Sequence, residues 1–193
     1  MFEQLFHTIN QKVDLTTGEL ELIRPFFIPK KLRKRQYLLQ EGDVCKYTAF
    51  VEKGALRSYS LHEKGNEHVI QFALEGWWIG DQYSFLTGEP SVYNIDALED
   101  SELLLITATA NEEMLTKVPR MEKYFRLLLQ NNMIAMQRRL VASLSFTAEE
   151  KYTRMLNSYP DIIQRVPQHT IASYLGITPE TLSRIRKQIS TGK

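Results

Sequence analysis

The spacing of apolar and polar residues divides the chain into regions of different periodicity. Between residues 3 and 24, apolar residues recur three and four positions apart, and the stretch Thr16-Thr17-Gly18-Glu19 separates this region into two predicted helices. From Lys30 to about Ile106, short apolar segments alternate with glycine-containing turns at a spacing of roughly ten residues. This second pattern predicts a compact antiparallel β-barrel or sandwich.

A helical pattern returns at Asn111. Residues 111–118 predict a short helix, and Pro119 begins a longer one that ends near residue 145. The stretch Thr147-Ala148-Glu149-Glu150 is a capping box that starts a further helix, which ends at Tyr159-Pro160-Asp161. We therefore expect two domains: residues 1–146, with the β-rich region and the long helix at about 119–145, and residues 147–193, which are all helical.

The segment from Gln168 to Gln188 has the spacing of a helix-turn-helix. Ala172 precedes Gly176 by four residues, so that a small side chain faces the second helix and a glycine supplies the left-handed turn. Thr178 is a good N-cap residue, and Pro179 occupies the first helical position, where its missing N–H group costs nothing. A helix-turn-helix in this position predicts binding to duplex DNA.

Polar side chains of this motif can contact both bases and phosphates. Arg184 can pair with a guanine through two hydrogen bonds, and Glu180 can accept one from a cytosine amino group. The charge distribution agrees, because residues 1–110 hold 11 Lys and Arg against 16 Asp and Glu, whereas residues 111–193 hold 13 against 7. The predicted DNA-binding residues are Gln168, His169, Thr178, Glu180, Thr181, Ser183, Arg184 and Lys187.

The long helix carries a coiled-coil-like stripe. Such a stripe either packs on the chain's own sheet or pairs with a second copy of the helix. We favour the homodimer, because helix-turn-helix proteins usually present two copies to two half-sites about one helical turn apart. The predicted dimer seam comprises Met121, Phe125, Leu128, Asn132, Ala135, Met136 and Leu140.

Composition limits the classes of protein to which the chain can belong. Its 43% apolar and 24% charged residues are ordinary for a globular protein, and no apolar run is long enough to cross a membrane. The N-terminus lacks a secretory signal, which favours a cytoplasmic location without a membrane partner. A single cysteine, Cys45, excludes an internal disulfide and an iron–sulfur cluster. No phosphate loop, zinc-ligand spacing or catalytic triad is present, so we predict no catalytic residue, no metal and no enzyme.

The order of these elements resembles the Crp/Fnr family of transcription regulators over nearly the whole chain. The stretches YLLQEGDVCKYTAFVEKGALRSYS and NEHVIQFALEGWWIGD are similar to the glycine-punctuated β-roll of that family. The resemblance implies an α+β sensor domain, which is an antiparallel β-roll flanked by helices and followed by a long dimerisation helix, and then a small all-α helix-turn-helix domain. It also implies a homodimer that binds double-stranded DNA, with RNA polymerase and an unknown small-molecule effector as further candidate partners.

The resemblance also locates a ligand pocket, in which members of the family bind a cyclic nucleotide. There an acid after a glycine holds the ribose, and an arginine ten residues later pairs with the phosphate. Here these positions hold Asp81, which follows Gly80, and Ser91. Because the buried phosphate would lack its guanidinium, we predict that cyclic AMP does not bind in the usual way and that no cofactor is present. The candidate pocket residues are Gly80, Asp81, Gln82, Ser91, Val92 and Tyr93.

Several alternatives stay open at this point. Trp77, Trp78, Phe85 and Tyr93 could fill the pocket or line it, and Cys45 is either inert or redox-active. Pro179 replaces the arginine with which well-known family members read guanine, and the sequence ends without the β-hairpin wing of many members. Phosphate contacts would then come from Gln168, His169, Arg186, Lys187 and Lys193. The alternative function is a sensor or protein-interaction module whose DNA binding has decayed.

Overall fold

The chain folds into nine α-helices and eight β-strands within residues 1–62 and 65–191, which the computed structural model describes. The helices are α1 (Glu3–Asn10), α2 (Thr17–Ile23), α3 (Gln82–Thr87), α4 (Ala108–Lys117), α5 (Arg120–Ser145), α6 (Ala148–Ser158), α7 (Pro160–Arg165), α8 (Gln168–Leu175) and α9 (Pro179–Ser190), with a 3₁₀ turn at Arg24–Phe26. The strands are β1 (Ile28–Leu32), β2 (Tyr37–Leu39), β3 (Thr48–Lys53), β4 (Leu56–Leu61), β5 (Glu67–Ala73), β6 (Trp78–Ile79), β7 (Asn94–Ala97) and β8 (Ser101–Ile106).

The strands form two four-stranded sheets. Their orders are β1-β8-β3-β6 and β2-β7-β4-β5. The pairing of β3 with β8 and of β4 with β7 is antiparallel, with Phe50 opposite Leu104 and Ser58 opposite Ile95. The predicted α+β fold, with an antiparallel β-roll between Lys30 and about Ile106, is therefore confirmed.

Strand β8 explains why part of the roll reads as a continuous apolar run. Its residues Leu103 to Ile106 are all buried. Alternate side chains face opposite sides of the sheet, and here each side faces a hydrophobic core. Leu104 and Ile106 belong to a core that is shared with helices α1, α2, α4 and the start of α5. Leu103 and Leu105 belong to a second core inside the roll. Strand β8 thus lies between two cores. Because neither of its sides faces water, its sequence does not alternate between apolar and polar residues.

Close packing divides the chain into two compact units. The first comprises residues 1–60 and 71–130, and the second comprises residues 61–70 and 131–193. The second unit therefore contains helices α6 to α9, the later part of α5, the last residue of β4 and the first four residues of β5. The boundary at residues 146 and 147 that the sequence suggests falls between helices α5 and α6. It does not coincide with the division by packing.

Side-chain caps mark the start of five of the nine described helices, namely α2, α3, α4, α6 and α9. The predicted capping box at α6 is present, since the Glu150 N–H group donates to the Thr147 hydroxyl over 3.2 Å and the Glu150 carboxylate accepts from the Thr147 N–H group over 2.8 Å. Helix α4 begins three residues before the predicted Asn111, because Thr107 caps it. Helix α7 was not predicted, because Pro160 ends one helix and also occupies the first position of the next. No helix within the described residues is both long enough and apolar enough to cross a membrane.

Candidate nucleic-acid interface

Helices α8 and α9 form the helix-turn-helix that the sequence predicts. Ala172 is completely buried, and Gly176 has a φ angle of 67°, in the left-handed region that favours glycine. The Gly176 N–H group donates to the Ser173 carbonyl over 3.1 Å, and that of Ile177 donates to the Ala172 carbonyl over 3.0 Å. These bonds satisfy carbonyls at the end of α8 and fix the turn before α9.

The start of helix α9 is capped by a neutral side chain. The Thr178 hydroxyl accepts a hydrogen bond of 3.2 Å from the Thr181 N–H group, and Pro179 stands at the first helical position. Both features match the sequence prediction. Since Thr178 is exposed, the beginning of the helix is open to solvent.

Helix α9 has one apolar face that packs inside the second unit and one polar face that does not. Leu182 is completely buried and Ile185 is 6% exposed, which fixes the orientation of the helix. Seven of the predicted DNA-binding residues are exposed and Thr181 is half-buried. The exposed ones are Gln168, His169, Thr178, Glu180, Ser183, Arg184 and Lys187.

The charged groups on this face are available for an outside partner. Neither Arg184 nor Lys187 takes part in an ion pair among the residues that the structure describes. The Arg184 guanidinium donates only a long hydrogen bond of 3.4 Å to the Thr181 hydroxyl. Hydrogen bonds from its own backbone N–H group and from the Thr178 hydroxyl lower the pKa of Glu180, so that it is ionised at neutral pH. Lys193, which the sequence also suggests for phosphate contacts, lies outside the described residues.

The structure corrects the predicted seam on helix α5. Met121 is completely buried in the chain's own core, and Phe125 and Leu128 pack against that core. Asn132 and Ala135 are exposed, but neither is a large apolar residue. The unpartnered large apolar residues in the later part of the helix are Leu129, Met133, Ile134, Met136, Leu140, Val141 and Leu144. Only Met136, 72% exposed, and Leu140, 61% exposed, are common to both sets.

In the predicted ligand pocket, the acidic residue is already engaged. Asp81 is 3% exposed and caps helix α3, since one carboxylate oxygen accepts from the N–H groups of Tyr83 and Ser84 over 3.0 and 3.2 Å. Its other oxygen accepts from the Ser91 hydroxyl over 2.7 Å. That hydroxyl in turn accepts from the Tyr93 N–H group over 3.0 Å. Both carboxylate oxygens of Asp81 therefore already accept hydrogen bonds within the chain, where the resemblance implies a bond to a ribose hydroxyl.

No guanidinium accompanies Asp81 at the position suggested by the resemblance. Ser91 is 2% exposed there. Arg57, the preceding arginine in the sequence, is bound to Asp96 by hydrogen bonds of 2.8 and 3.1 Å and lies over the ring of Tyr59. Among the other candidates, Gly80 packs closely on Thr48, whereas Gln82 and Val92 are exposed.

The aromatic residues near this loop serve the packing of the roll. Trp78 is in the core shared with the helices and donates from its indole N–H group to the Tyr124 hydroxyl over 3.0 Å. Trp77 and Phe85 pack against the inner core. These residues fill space rather than line one common pocket.

A cavity of about 580 Å³ lies beside the segment from Tyr37 to Tyr47. Its lining contains none of the six predicted pocket residues. Cys45 in its wall is 4% exposed, and burial raises the pKa of the thiol, so that the unreactive protonated form is favoured. Among the described residues, no group of three or more His, Cys, Asp and Glu could hold a metal ion.

Comparison with known proteins agrees with this architecture. Residues 29–117 match the cyclic nucleotide-binding domain. The chain is similar to the fumarate and nitrate reduction regulatory protein of Vibrio cholerae, with 26% identity over 183 residues that cover 89% of this chain and 72% of that protein.

Two solved structures share the fold. FixK2 from Bradyrhizobium japonicum superposes with a TM-score of 0.74 at 20% identity, and covers 86% of this chain and 85% of its own. The catabolite activator protein of Thermus thermophilus superposes with a TM-score of 0.57 at 20% identity, and covers 96% of this chain and 88% of its own. At this level of identity the similarity concerns the fold.

Proposed function

We propose that the chain is a transcription regulator of the Crp/Fnr type, and that it is a homodimer that binds duplex DNA in a sequence-specific manner. The observation that carries this proposal is the exposed polar face of α9, on which Arg184 and Lys187 have no ion-pair partner among the described residues. The similarity to the fumarate and nitrate reduction regulatory protein of Vibrio cholerae supports a regulatory role.

The side chains of α9 divide into base readers and phosphate binders. Arg184 pairs with a guanine through two hydrogen bonds, and the ionised Glu180 accepts from a cytosine amino group. Lys187, Gln168 and His169 contact phosphates, which position the helix without reading sequence. Pro179 contributes no base contact, so that the preferred half-site differs from that of family members with an arginine at this place.

The exposed apolar residues of α5 supply the dimer contact. Large apolar residues from Leu129 to Leu144 recur three and four positions apart, and leaving them in water is unfavourable. A second copy of the same helix matches this stripe and presents a second helix-turn-helix to a second half-site. The two half-sites then lie about one helical turn apart.

The effector of this regulator is not cyclic AMP bound in the usual way. The internal hydrogen bonds of Asp81 and the serine at the arginine position support this assignment. The protein acts in the cytoplasm, where its DNA target is, and RNA polymerase is the partner through which it would affect transcription.

Selection of random duplex DNA by the purified full chain tests the proposal. The expected result is enrichment of a palindromic motif with half-sites about one helical turn apart. No enrichment, at low salt as well as at physiological salt, would contradict sequence-specific binding by the free protein and favour a protein-interaction role for the helix-turn-helix.

A further inference from the structure

Within the second unit, the first helix of the helix-turn-helix is bonded to a strand. Ser173 lies on α8, and its hydroxyl group donates to the Glu67 carbonyl over 2.6 Å. The same oxygen accepts from the Val69 N–H group over 3.0 Å. One side chain thus satisfies a donor and an acceptor of β5, as a neighbouring strand would do.

Arg139 on helix α5 completes this arrangement from another side. Its guanidinium donates to the Ile70 carbonyl, to the Val69 carbonyl over 3.0 Å and to the Tyr174 carbonyl over 3.4 Å. The guanidinium also lies over the ring of Tyr174, 4.2 Å from its centre. All three acceptors are backbone carbonyls, so that Arg139 connects α5, β5 and α8 through its fixed fork of donors.

The two bonded residues of α8 stand directly before the turn that leads to the DNA-reading helix. The Tyr174 carbonyl lies at the C-terminal end of α8, where intrahelical donors run out, and Gly176 follows two residues later. Tyr174 is half-buried, and its partial removal from water raises the pKa of its hydroxyl group. We call the contacts of Arg139 and Ser173 with Glu67, Val69, Ile70 and Tyr174 the Arg139–Ser173 clamp.

We propose that the Arg139–Ser173 clamp preorders α8 and its turn for DNA binding, and that Arg139 and Ser173 are positioning residues. The inference rests on the proposed DNA-binding function and adds residues that act through α8 rather than on DNA. Holding the helix in place before binding removes part of the ordering cost that association would otherwise carry. Loss of the clamp therefore weakens DNA binding without removing a phosphate contact.

The test measures affinity for the selected duplex over a range of salt concentrations. Arg139→Gln and Ser173→Ala should each weaken binding about tenfold, which corresponds to about 1.4 kcal/mol. The dependence of affinity on salt should not change, because that dependence counts phosphate contacts. A mere effect on helix stability predicts the opposite for Ser173→Ala, since alanine is the better helix former.

Matched variants separate the clamp from charge and from folding. Arg138→Gln removes the same charge from the exposed neighbouring position, and Ser143→Ala makes the same change at an exposed position of α5. Both should leave affinity unchanged within about twofold, because isolated surface changes have small effects. Ser173→Thr keeps the hydroxyl group and should restore binding relative to Ser173→Ala.

Hydrogen exchange at the Val69 amide reports on the clamp without DNA. The amide should be protected in the wild type and in Ser173→Thr, and should exchange faster in Ser173→Ala. Equal exchange in all three, or faster exchange with unchanged DNA affinity, would overturn the proposal. If the wild type binds no duplex, the proposed function fails and the positioning role fails with it, whereas protection at Val69 would still establish the contact itself.

Discussion

Helices α3 and α9 both begin within a few residues of a glycine and both have a side-chain cap, but the caps differ in charge. The cap of α3 is Asp81, which is 3% exposed and accepts three hydrogen bonds from its own loop. The cap of α9 is Thr178, a neutral and exposed hydroxyl that accepts one.

The two helix ends also differ in the charged side chains around them. The N-terminus of a helix carries a partial positive charge and free N–H groups. At α3 the buried carboxylate of Asp81 takes these bonds. At α9 the Glu180 carboxylate accepts from its own backbone N–H group, but the cations Arg184 and Lys187 are exposed on the polar face of the helix. These exposed cations, and not the helix end itself, support the proposed contact with DNA.

The largest effect is expected from breaking the pairing that brings two copies of α9 to one duplex. Leu140→Glu places like charges opposite each other in the proposed apolar seam and should convert a dimer to a monomer of 22.5 kDa. Light scattering measures the mass. Asn131→Glu is the control, because it lies nine residues earlier and therefore on the opposite face of the helix. An unchanged mass for Leu140→Glu would refute the seam.

Leu128 is not a suitable position for that experiment, although the sequence includes it in the seam. Its side chain packs against the chain's own core. A glutamate there would bury a charge and destabilise the fold. A lower mass in light scattering could then result from unfolding and would not show that the helices pair.

Removal of the base reader should have the next largest effect. Arg184→Ala should cost about 1–3 kcal/mol on the preferred duplex and relax one base position. Repeating the DNA selection with the variant measures this relaxation directly. A motif identical to that of the wild type at every position would show that Arg184 does not read a base.

The closed helix end can be opened by removing its cap. Asp81→Ala takes away the acceptor for two N–H groups and for the Ser91 hydroxyl, and should lower the free energy of unfolding by about 1–2 kcal/mol. Urea denaturation measures the change. Asp43→Ala, at an exposed position of a neighbouring loop, should leave the midpoint unchanged, and an equal midpoint for Asp81→Ala would contradict the capping role.

The smallest effect is expected on addition of cyclic AMP, the ligand that the family resemblance suggests. Cyclic AMP should give no binding heat with the full chain, because Asp81 is engaged and Ser91 offers no positive charge. Calorimetry checks this directly. A dissociation constant of about 1 μM or below would show that the loop rearranges to admit the nucleotide.

The sequence predicts the helix-turn-helix well because its signals are local. The left-handed turn favours a glycine at Gly176, Thr178 caps helix α9, and Pro179 fits the first helical position. Each of these residues therefore indicates its own local conformation. Asp81 carries a local signal too, since Asp is a favoured N-cap residue, and it caps α3.

The remaining features depend on contacts that are distant in the sequence. Periodicity identifies the stripe on α5, but it cannot distinguish Met121, buried in the chain's own core, from Leu140, which is exposed. The bond between Ser173 and Val69 joins residues 104 positions apart, and no local pattern predicts it. Sequence reasoning therefore missed Arg139 and Ser173 entirely.

The most direct test of the account compares Lys187→Ala with Arg184→Ala in salt titrations on the selected duplex and on a scrambled one. Lys187→Ala should weaken binding to both duplexes and reduce the slope of log affinity against log salt by about 0.9, the share of one phosphate contact. Arg184→Ala should weaken binding mainly to the selected duplex. Equal losses on both duplexes from both variants would contradict the claim that α9 reads DNA sequence.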